Sequence, residues 1–279
     1  AFASASLVGA PYKYHINLIT ADQFVYNTYF YFPAENKIIP NTLSGEFSNT
    51  EVQFDNLNAR PQDGFARTLG IGPSFFVNNG KSAWGFHMAY RNQLSAIELP
   101  YEMVKLLSEN FDYAPYFNQD FHSDPFSIQL LSWGEIGATY GRVAIAAEKH
   151  WLSWGVTLKY LAGFDAASLD VRQMDYQFPD SATGLFHTFD ATLSYAFDYN
   201  NSFGSGNLFK MRGMGLGVNA GVTYMHMRDE SACACNGTHA KKYKYRVGVS
   251  FIDIGAIKFN RDAQVTRLYT SSDRIWNNI

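Results

Sequence analysis

Apolar and polar residues alternate with a period of two along much of the chain. A period of two is typical of a β-strand, because successive side chains point to opposite faces. In the three clearest runs the residues between the apolar positions are small or polar. The apolar positions of these runs are Trp84, Phe86, Met88 and Tyr90; Leu152, Trp154, Val156 and Leu158; and Met214, Leu216, Val218 and Val222. Weaker alternation in segments 12–18, 69–77, 185–197 and 243–251 extends the pattern, so we expect an all-β chain.

The length and composition of the runs favour a membrane environment. Each clear run has about 7 to 11 residues, close to the ~9–11 that a tilted strand needs to cross a hydrocarbon layer. One face is bulky and aromatic and the other is mostly Gly, Ala, Ser and Thr, as in a barrel with lipid outside and a small-residue lumen. The sequence therefore predicts a transmembrane antiparallel β-barrel of the outer-membrane type whose twelve apolar positions face lipid. A soluble β-protein stays open, since Tyr and Phe favour strands in any setting.

The connections between runs predict an orientation and one helix. Asn78-Asn79-Gly80 predicts a tight hairpin, because Asn and Gly accept the positive φ that short turns require. Short turns of outer-membrane barrels face the periplasm, so the segment from Gln93 to Phe126 is expected to be an external loop. Pro100 marks a helix start in this loop. The stripe that follows has helical spacing and predicts a short amphipathic helix that covers the barrel mouth, enters the lumen, contacts a partner or packs on its own loop. Its residues are Met103, Val104, Leu107 and Phe111.

The whole chain, residues 1–279, is predicted to form a single barrel domain. About nine or ten strands can be counted, with strand lengths as expected for a membrane barrel. The chain ends in a polar segment instead of the strand with a terminal aromatic residue that is common in bacterial barrels. We therefore expect an incomplete barrel that further strands would close. The chain contains no run of 18 apolar residues, so no transmembrane helix is predicted.

Composition narrows the function classes. The formal net charge of -3 gives no field that would hold a polyanion, so a nucleic-acid partner is not predicted. Cys233 and Cys235 are the two cysteines of the chain, and they rule out a disulfide framework and a zinc site built from cysteine pairs. A bridge between them would close a strained ring, and two free thiols are the alternative.

Candidate chemistry is sparse. The seven His residues form no H-x-x-x-H pair, so no metal or cofactor is predicted. A lipid-cleaving barrel would need a Ser and a His on the same face, and His226 has no marked Ser partner. The glycines of residues 213–221 alternate with apolar residues inside one run, whereas a phosphate cradle needs a turn between strand and helix. We predict a protein without enzymatic activity.

Four segments carry a resemblance to a known family. They are SLVGAPYKYHINLITADQFVYNTYFYF, LLSENFDYAPYF, SWGEIGATYGRVAIAAEKHWLSWGVTLKYLAGFDAASL and YKYRVGVSFIDIGAIKF. The block from Glu135 to Gly163 is the most specific. The chain resembles an uncharacterised family of outer-membrane barrels of Bacteroidota, which is distantly similar to the PorP/SprF barrels of type IX secretion. Some members resemble proteins with an OmpA-like, peptidoglycan-binding domain after the barrel, a region that this chain lacks.

Together these features predict an integral outer-membrane protein that serves as a scaffold or accessory subunit of an envelope complex, for protein assembly or secretion. The inner face carries no ring of like charges, which a selective pore would have. The expected partners are outer-membrane lipids and lipopolysaccharide, other outer-membrane proteins and, through a region not present here, peptidoglycan. A channel or transporter for small or apolar solutes is the alternative.

Overall fold

A computed structural model describes residues 13–31, 53–54, 60–147, 149–197, 210–227 and 243–277. In these ranges the protein is an antiparallel all-β structure with one α-helix. The strands are β1 (Tyr14–Asn17), β2 (Thr20–Asn27), β3 (Phe30–Tyr31), β4 (Gln53–Phe54), β5 (Gln62–Ile71), β6 (Ser74–Asn78), β7 (Ser82–Leu99), β8 (Asp120–Ser123), β9 (Phe126–Ala146), β10 (His150–Asp180), β11 (Thr183–Ala196), β12 (Gly213–Met227), β13 (Tyr243–Phe259), β14 (Ala263–Thr270) and β15 (Arg274–Asn277). Helix α1 is Tyr101–Ser108, and a 3-10 turn follows at Ala114–Tyr116.

Most of these strands join end to end into long strands. The 31-residue β10 pairs with β8 and β9 along one edge, and with β11 and β12 along the other. The same arrangement gives seven long strands, L1 to L7, each antiparallel to its neighbours in chain order. They are L1 (β1 and β2), L2 (β5 and β6), L3 (β7), L4 (β8 and β9), L5 (β10), L6 (β11 and β12) and L7 (β13, β14 and β15). The fold of the described residues is therefore an up-and-down meander, with β3 and β4 paired separately.

The predicted Asn-Asn-Gly hairpin is confirmed. It joins β6 to β7, and Gly80 has a φ of +86°. The Asn78 side chain accepts a hydrogen bond from the Gly80 amide at 2.8 Å, and Asn79 accepts one from the Ser82 amide at 2.7 Å. These two Asx contacts stabilise the turn locally. We call this end of the sheet the turn end and the opposite end, which carries α1, the helix end.

The expected external loop from Gln93 to Phe126 is wrong at both of its ends. Residues 93–99 continue β7, and residues 120–123 form β8. The strands extend because β7 pairs with β5 on one side and with β9 on the other up to the helix end. Only the residues between Leu99 and Asp120 connect the strands, and α1 begins directly after Pro100, as predicted.

Helix α1 packs on the sheet with a different stripe from the predicted one. Leu106 is fully buried, and Met103 and Phe111 pack against its cluster, whereas Leu107 is 53 % exposed and Val104 is half-buried. The cluster consists of Leu106, Phe126, Val171, Met174, Tyr176, Phe178 and Ala191. Ile128 also packs against it and is paired with Ala96, which lies on the same face of β7 as Trp84. The helix thus covers the sheet face that carries the predicted lipid-facing residues, which excludes a place in the lumen.

The two outer long strands of the meander are L1 and L7. Within the described ranges they do not pair with each other, so the cylinder is not closed there. Because neighbours are antiparallel throughout, L1 and L7 run in the same direction. No described helix is long and apolar enough to cross a membrane.

Candidate functional site

The twelve predicted lipid-facing residues lie together on one face of the sheet. Trp84 is paired with Tyr140, which is paired with Val156, and equivalent rows continue through β12. Leu216 is 73 % exposed, and Trp84 and Leu158 are each 62 % exposed. We call the rows formed by residues 84–90, 134–140, 152–160 and 214–224 the apolar band. The exposed members also include Met88, Trp154, Met214, Val218 and Val222, and Phe86, Tyr90, Leu152 and Val156 are half-buried.

The other face of the same rows is polar and buried. Ser153 and Thr157 are each 1 % exposed, and the Thr157 hydroxyl lies 2.9 Å from that of Thr139 on β9. Globular proteins in water bury apolar side chains and expose long charged ones. In the apolar band this distribution is inverted, with aromatic and aliphatic side chains outside and hydroxyls and charges inside.

A cluster of charges fills the middle of the polar face. Glu135 is at its centre, with one carboxylate oxygen 3.1 Å from Nη2 of Arg91 and 3.4 Å from Nε2 of His87. Its other oxygen is 3.8 Å from Nζ of Lys159. Lys159 and Arg91 also form ion pairs with Asp253 on β13. We call these five side chains the lumen cluster.

The lumen cluster also reports the curvature of the sheet. Arg91 is on L3 and Asp253 is on L7, four strand steps away, yet their side chains are 3.2 Å apart. A sheet has a strand spacing of about 4.8 Å, so a flat one would hold L3 and L7 roughly 19 Å apart. The sheet therefore curls strongly, with the charges on the concave side and the apolar band on the convex side.

The charges of the lumen cluster balance. Two carboxylates face Lys159 and Arg91, and the side chains of Glu135 and Lys159 are only 3 % and 2 % exposed. The amide of Asp253 donates a hydrogen bond to the Asn219 side chain at 2.7 Å, which attaches the cluster to β12. Buried pairs of this kind are costly to separate, because each partner would leave the other uncompensated. Chemically the arrangement fills and cross-links the interior of the curved sheet.

Sequence reasoning missed the lumen cluster. The alternation does show which polar residues face inward. It does not show which of them meet, because that depends on the register between neighbouring strands. Among the described residues, no three His, Cys, Asp or Glu side chains converge closely enough to hold a metal ion. Cys233 and Cys235 lie outside the described residues. The glycine run from Gly213 forms β12, as its alternation indicates, and a side chain at Gly215 would collide with the backbone of Ala256.

Gly137 leaves room for a member of the lumen cluster. The His87 ring occupies the space that a side chain at Gly137 would need. We expect Gly137→Ala to push this ring away from Glu135 and to lower the free energy of unfolding by about 1–3 kcal/mol, as overpacking does. Gly70→Ala is the matched control, since nothing lies within 4 Å of a Cβ there. Denaturant titration of both variants measures the difference, and equal stability would contradict the packing described here.

The helix end is predicted to weaken as pH rises. Asp175 and Asp273 accept hydrogen bonds from His122 and His187 and raise the pKa of each imidazole above its usual value. A histidine whose pKa is raised by folding stabilises the folded state at pH values below its unfolded-state pKa of about 6.5. This stabilisation is lost as pH rises through the folded-state pKa. As pH rises above about 6.5, hydrogen exchange at β8 and β15 is expected to accelerate beyond its intrinsic pH dependence. His122→Gln should abolish this acceleration at β8 and leave it in place at β15. The same acceleration at β8 in the wild-type protein and in His122→Gln would contradict the prediction.

The fold defines the class of the protein as an antiparallel all-β meander with an inverted distribution of polar and apolar residues. The sequence matches a family described as a family of unknown function, DUF5723, over residues 4–277. The chain belongs to this family. No curated protein and no solved structure matches it.

Proposed function

We propose that the chain is an integral outer-membrane β-barrel. The observation that carries the proposal is the inverted burial in the apolar band, where Leu216, Leu158 and Trp84 are exposed and Glu135 and Lys159 are buried. Exposed aromatic and aliphatic rows of this extent are stable in contact with lipid tails, and polar inward faces are the rule in membrane barrels. In a bilayer the backbone groups of the strands must all be paired, which a cylinder achieves.

The direction of the edge strands constrains how such a cylinder closes. L1 and L7 run in the same direction, so direct pairing between them would be parallel. Bacterial single-chain outer-membrane barrels are antiparallel with an even number of strands. An antiparallel cylinder that contains L1 to L7 therefore needs an odd number of additional strands between these two edges.

The role that we propose is that of a non-enzymatic scaffold or accessory subunit of an envelope complex. The lumen cluster supports this role, because five interacting side chains occupy the interior that an open pore would keep free. The strands also continue beyond the apolar band at the helix end, where α1 covers them and offers protein surface outside the membrane. Of the predicted stripe Met103, Val104, Leu107 and Phe111, we propose Leu107 and Val104 as the partner contact, because Met103 and Phe111 pack against the buried cluster.

The proposed partners and machinery follow from the resemblance to the Bacteroidota barrels. They are outer-membrane lipids and lipopolysaccharide, other outer-membrane proteins of an assembly or type IX-like secretion complex and, through a region outside this chain, peptidoglycan. Membership in a family of unknown function is compatible with this assignment.

Conductance and co-purification test the role. The protein reconstituted in planar lipid bilayers is expected to give no steady conductance, because the lumen cluster blocks the interior. In parallel, mild detergent extraction from its native membrane is expected to retain a large complex, whose members mass spectrometry identifies. Steady conductance from a protein that extracts alone would replace the scaffold with the channel or transporter.

A further inference from the structure

Four aromatic rings gather on the convex face at the turn end of the sheet. His150 on β10 is paired with His226 on β12, which in turn is paired with Tyr245 on β13. Tyr224 lies two residues before His226 on the same face of β12. Residues directly opposite each other in a sheet project from the same side, so the two imidazoles are neighbours. We call these four side chains the turn-end rings.

The spacing of the two imidazoles fits a shared metal ion. Their ring centres are 5.2 Å apart and their planes are inclined by 62°. Imidazole nitrogens bind zinc at about 2.0–2.1 Å, which places the centres of two rings on one ion roughly 5 Å apart. The separation of the two ring centres therefore matches that of two imidazoles bound to one ion.

The surroundings of the two rings support metal binding. Nδ1 of His150 is 2.6 Å from the Tyr224 hydroxyl, and this contact orients the ring. Nε2 is then the ring nitrogen that can bind a metal ion. Metal-bound histidines likewise donate their other ring N–H to an oxygen, most often that of a carboxylate, a backbone carbonyl or water. Nδ1 of His226 is buried and has no hydrogen-bond partner, although the ring itself stacks on Tyr245 at 5.1 Å and 14°. A buried nitrogen without a partner is uncommon and calls for a water molecule or an ion.

We propose that His150 and His226 bind a divalent transition-metal ion of the kind that imidazole prefers, such as Zn²⁺ or Cu²⁺. The two imidazole nitrogens are the proposed protein ligands, and water molecules complete the coordination. The ion would clamp β10 to β12 at the turn end of the sheet. This site does not depend on the membrane assignment, because it follows from the pairing of the two strands alone.

Metal titration tests the site. Zn²⁺ alone is titrated calorimetrically into the detergent-solubilised protein in which Cys233 and Cys235 are both replaced by Ser, so that thiols do not compete. One ion per chain is expected to bind, and His150→Ala and His226→Ala should each weaken binding by about ten-fold or more, as loss of a ligand does. His122→Ala removes an imidazole elsewhere and is expected to leave the affinity unchanged. Equal affinity in all four proteins would overturn the proposal.

A spectroscopic readout keeps the test independent of folding effects. Cu²⁺ bound to the same protein is expected to show electron paramagnetic resonance splitting from two imidazole nitrogens, and His226→Gln should reduce this to one. His226→Gln retains a polar side chain of similar size, so the strand pairing is kept. A two-nitrogen spectrum that survives in both His150→Gln and His226→Gln would assign the ion to other histidines and overturn the site.

Discussion

Replacing Glu135 with Ala is expected to lower the free energy of unfolding by about 3–5 kcal/mol, the largest effect of any single substitution considered. Glu135 contacts Arg91, His87 and Lys159, and its side chain is only 3 % exposed. Its removal leaves Lys159 with Asp253 alone and Arg91 with half of its carboxylate contacts. Equilibrium unfolding in denaturant, followed by tryptophan fluorescence in detergent micelles, measures the loss.

A double substitution separates charge balance from packing. Glu135→Gln combined with Lys159→Met removes one charge of each sign and leaves Arg91 paired with Asp253. Removal of both partners of a buried ion pair often changes the free energy of unfolding little, whereas removal of one partner lowers it strongly. The double variant should therefore be more stable than Glu135→Gln alone, which keeps the size of the side chain and leaves the charges unbalanced. A double variant that is less stable would show that the ion pairs themselves, and not their balance, stabilise the interior.

The second large effect is expected from Leu216→Arg. Leu216 is in the apolar band and 73 % exposed. If it faces lipid, an arginine there costs about 2–4 kcal/mol, as it does near the midplane of membrane barrels. Surface substitutions in water are usually within about 0.5 kcal/mol, so the same change in a soluble protein would have little effect. Unfolding of the protein in lipid vesicles measures the difference.

Val265 provides a position on the opposite face for this comparison. Val265 is 76 % exposed and lies on β14 at the helix end, and its pairing with Ser194 places it on the concave face of the sheet. Val265→Arg is expected to be nearly neutral, because water surrounds this part of the sheet in the proposed arrangement. Equal costs for Leu216→Arg and Val265→Arg would remove the distinction between a lipid-facing convex side and a water-exposed concave side.

Local signals in the sequence predicted a large part of the fold. Alternation identified the central parts of β7, β10 and β12 and the residues that share their outer face. The Asn78–Gly80 turn and the helix start at Pro100 were predicted because each depends on the backbone preferences of two or three residues. These features need no information about distant partners.

Features that depend on distant partners were not predicted. The strand β10 continues to Asp180 because β8, β9, β11 and β12 pair with it, although its alternation is interrupted where the pairing with β9 shifts between Gly163 and Asp165. Helical spacing did not distinguish Leu106 from Leu107, since the position of the sheet decides which one is buried. Glu135 and Lys159 meet through the register of β9 and β10, which a single sequence does not specify.

Site-directed spin labelling tests the central claim most directly. A nitroxide is attached at Leu158→Cys, Leu216→Cys or Val265→Cys, in a background with Ser at positions 233 and 235, and each protein is reconstituted in lipid vesicles. Collisions with oxygen, which concentrates in lipid, should exceed collisions with a water-soluble nickel complex at positions 158 and 216, and the order should reverse at position 265. Equal access of the nickel complex to all three positions would contradict the membrane assignment.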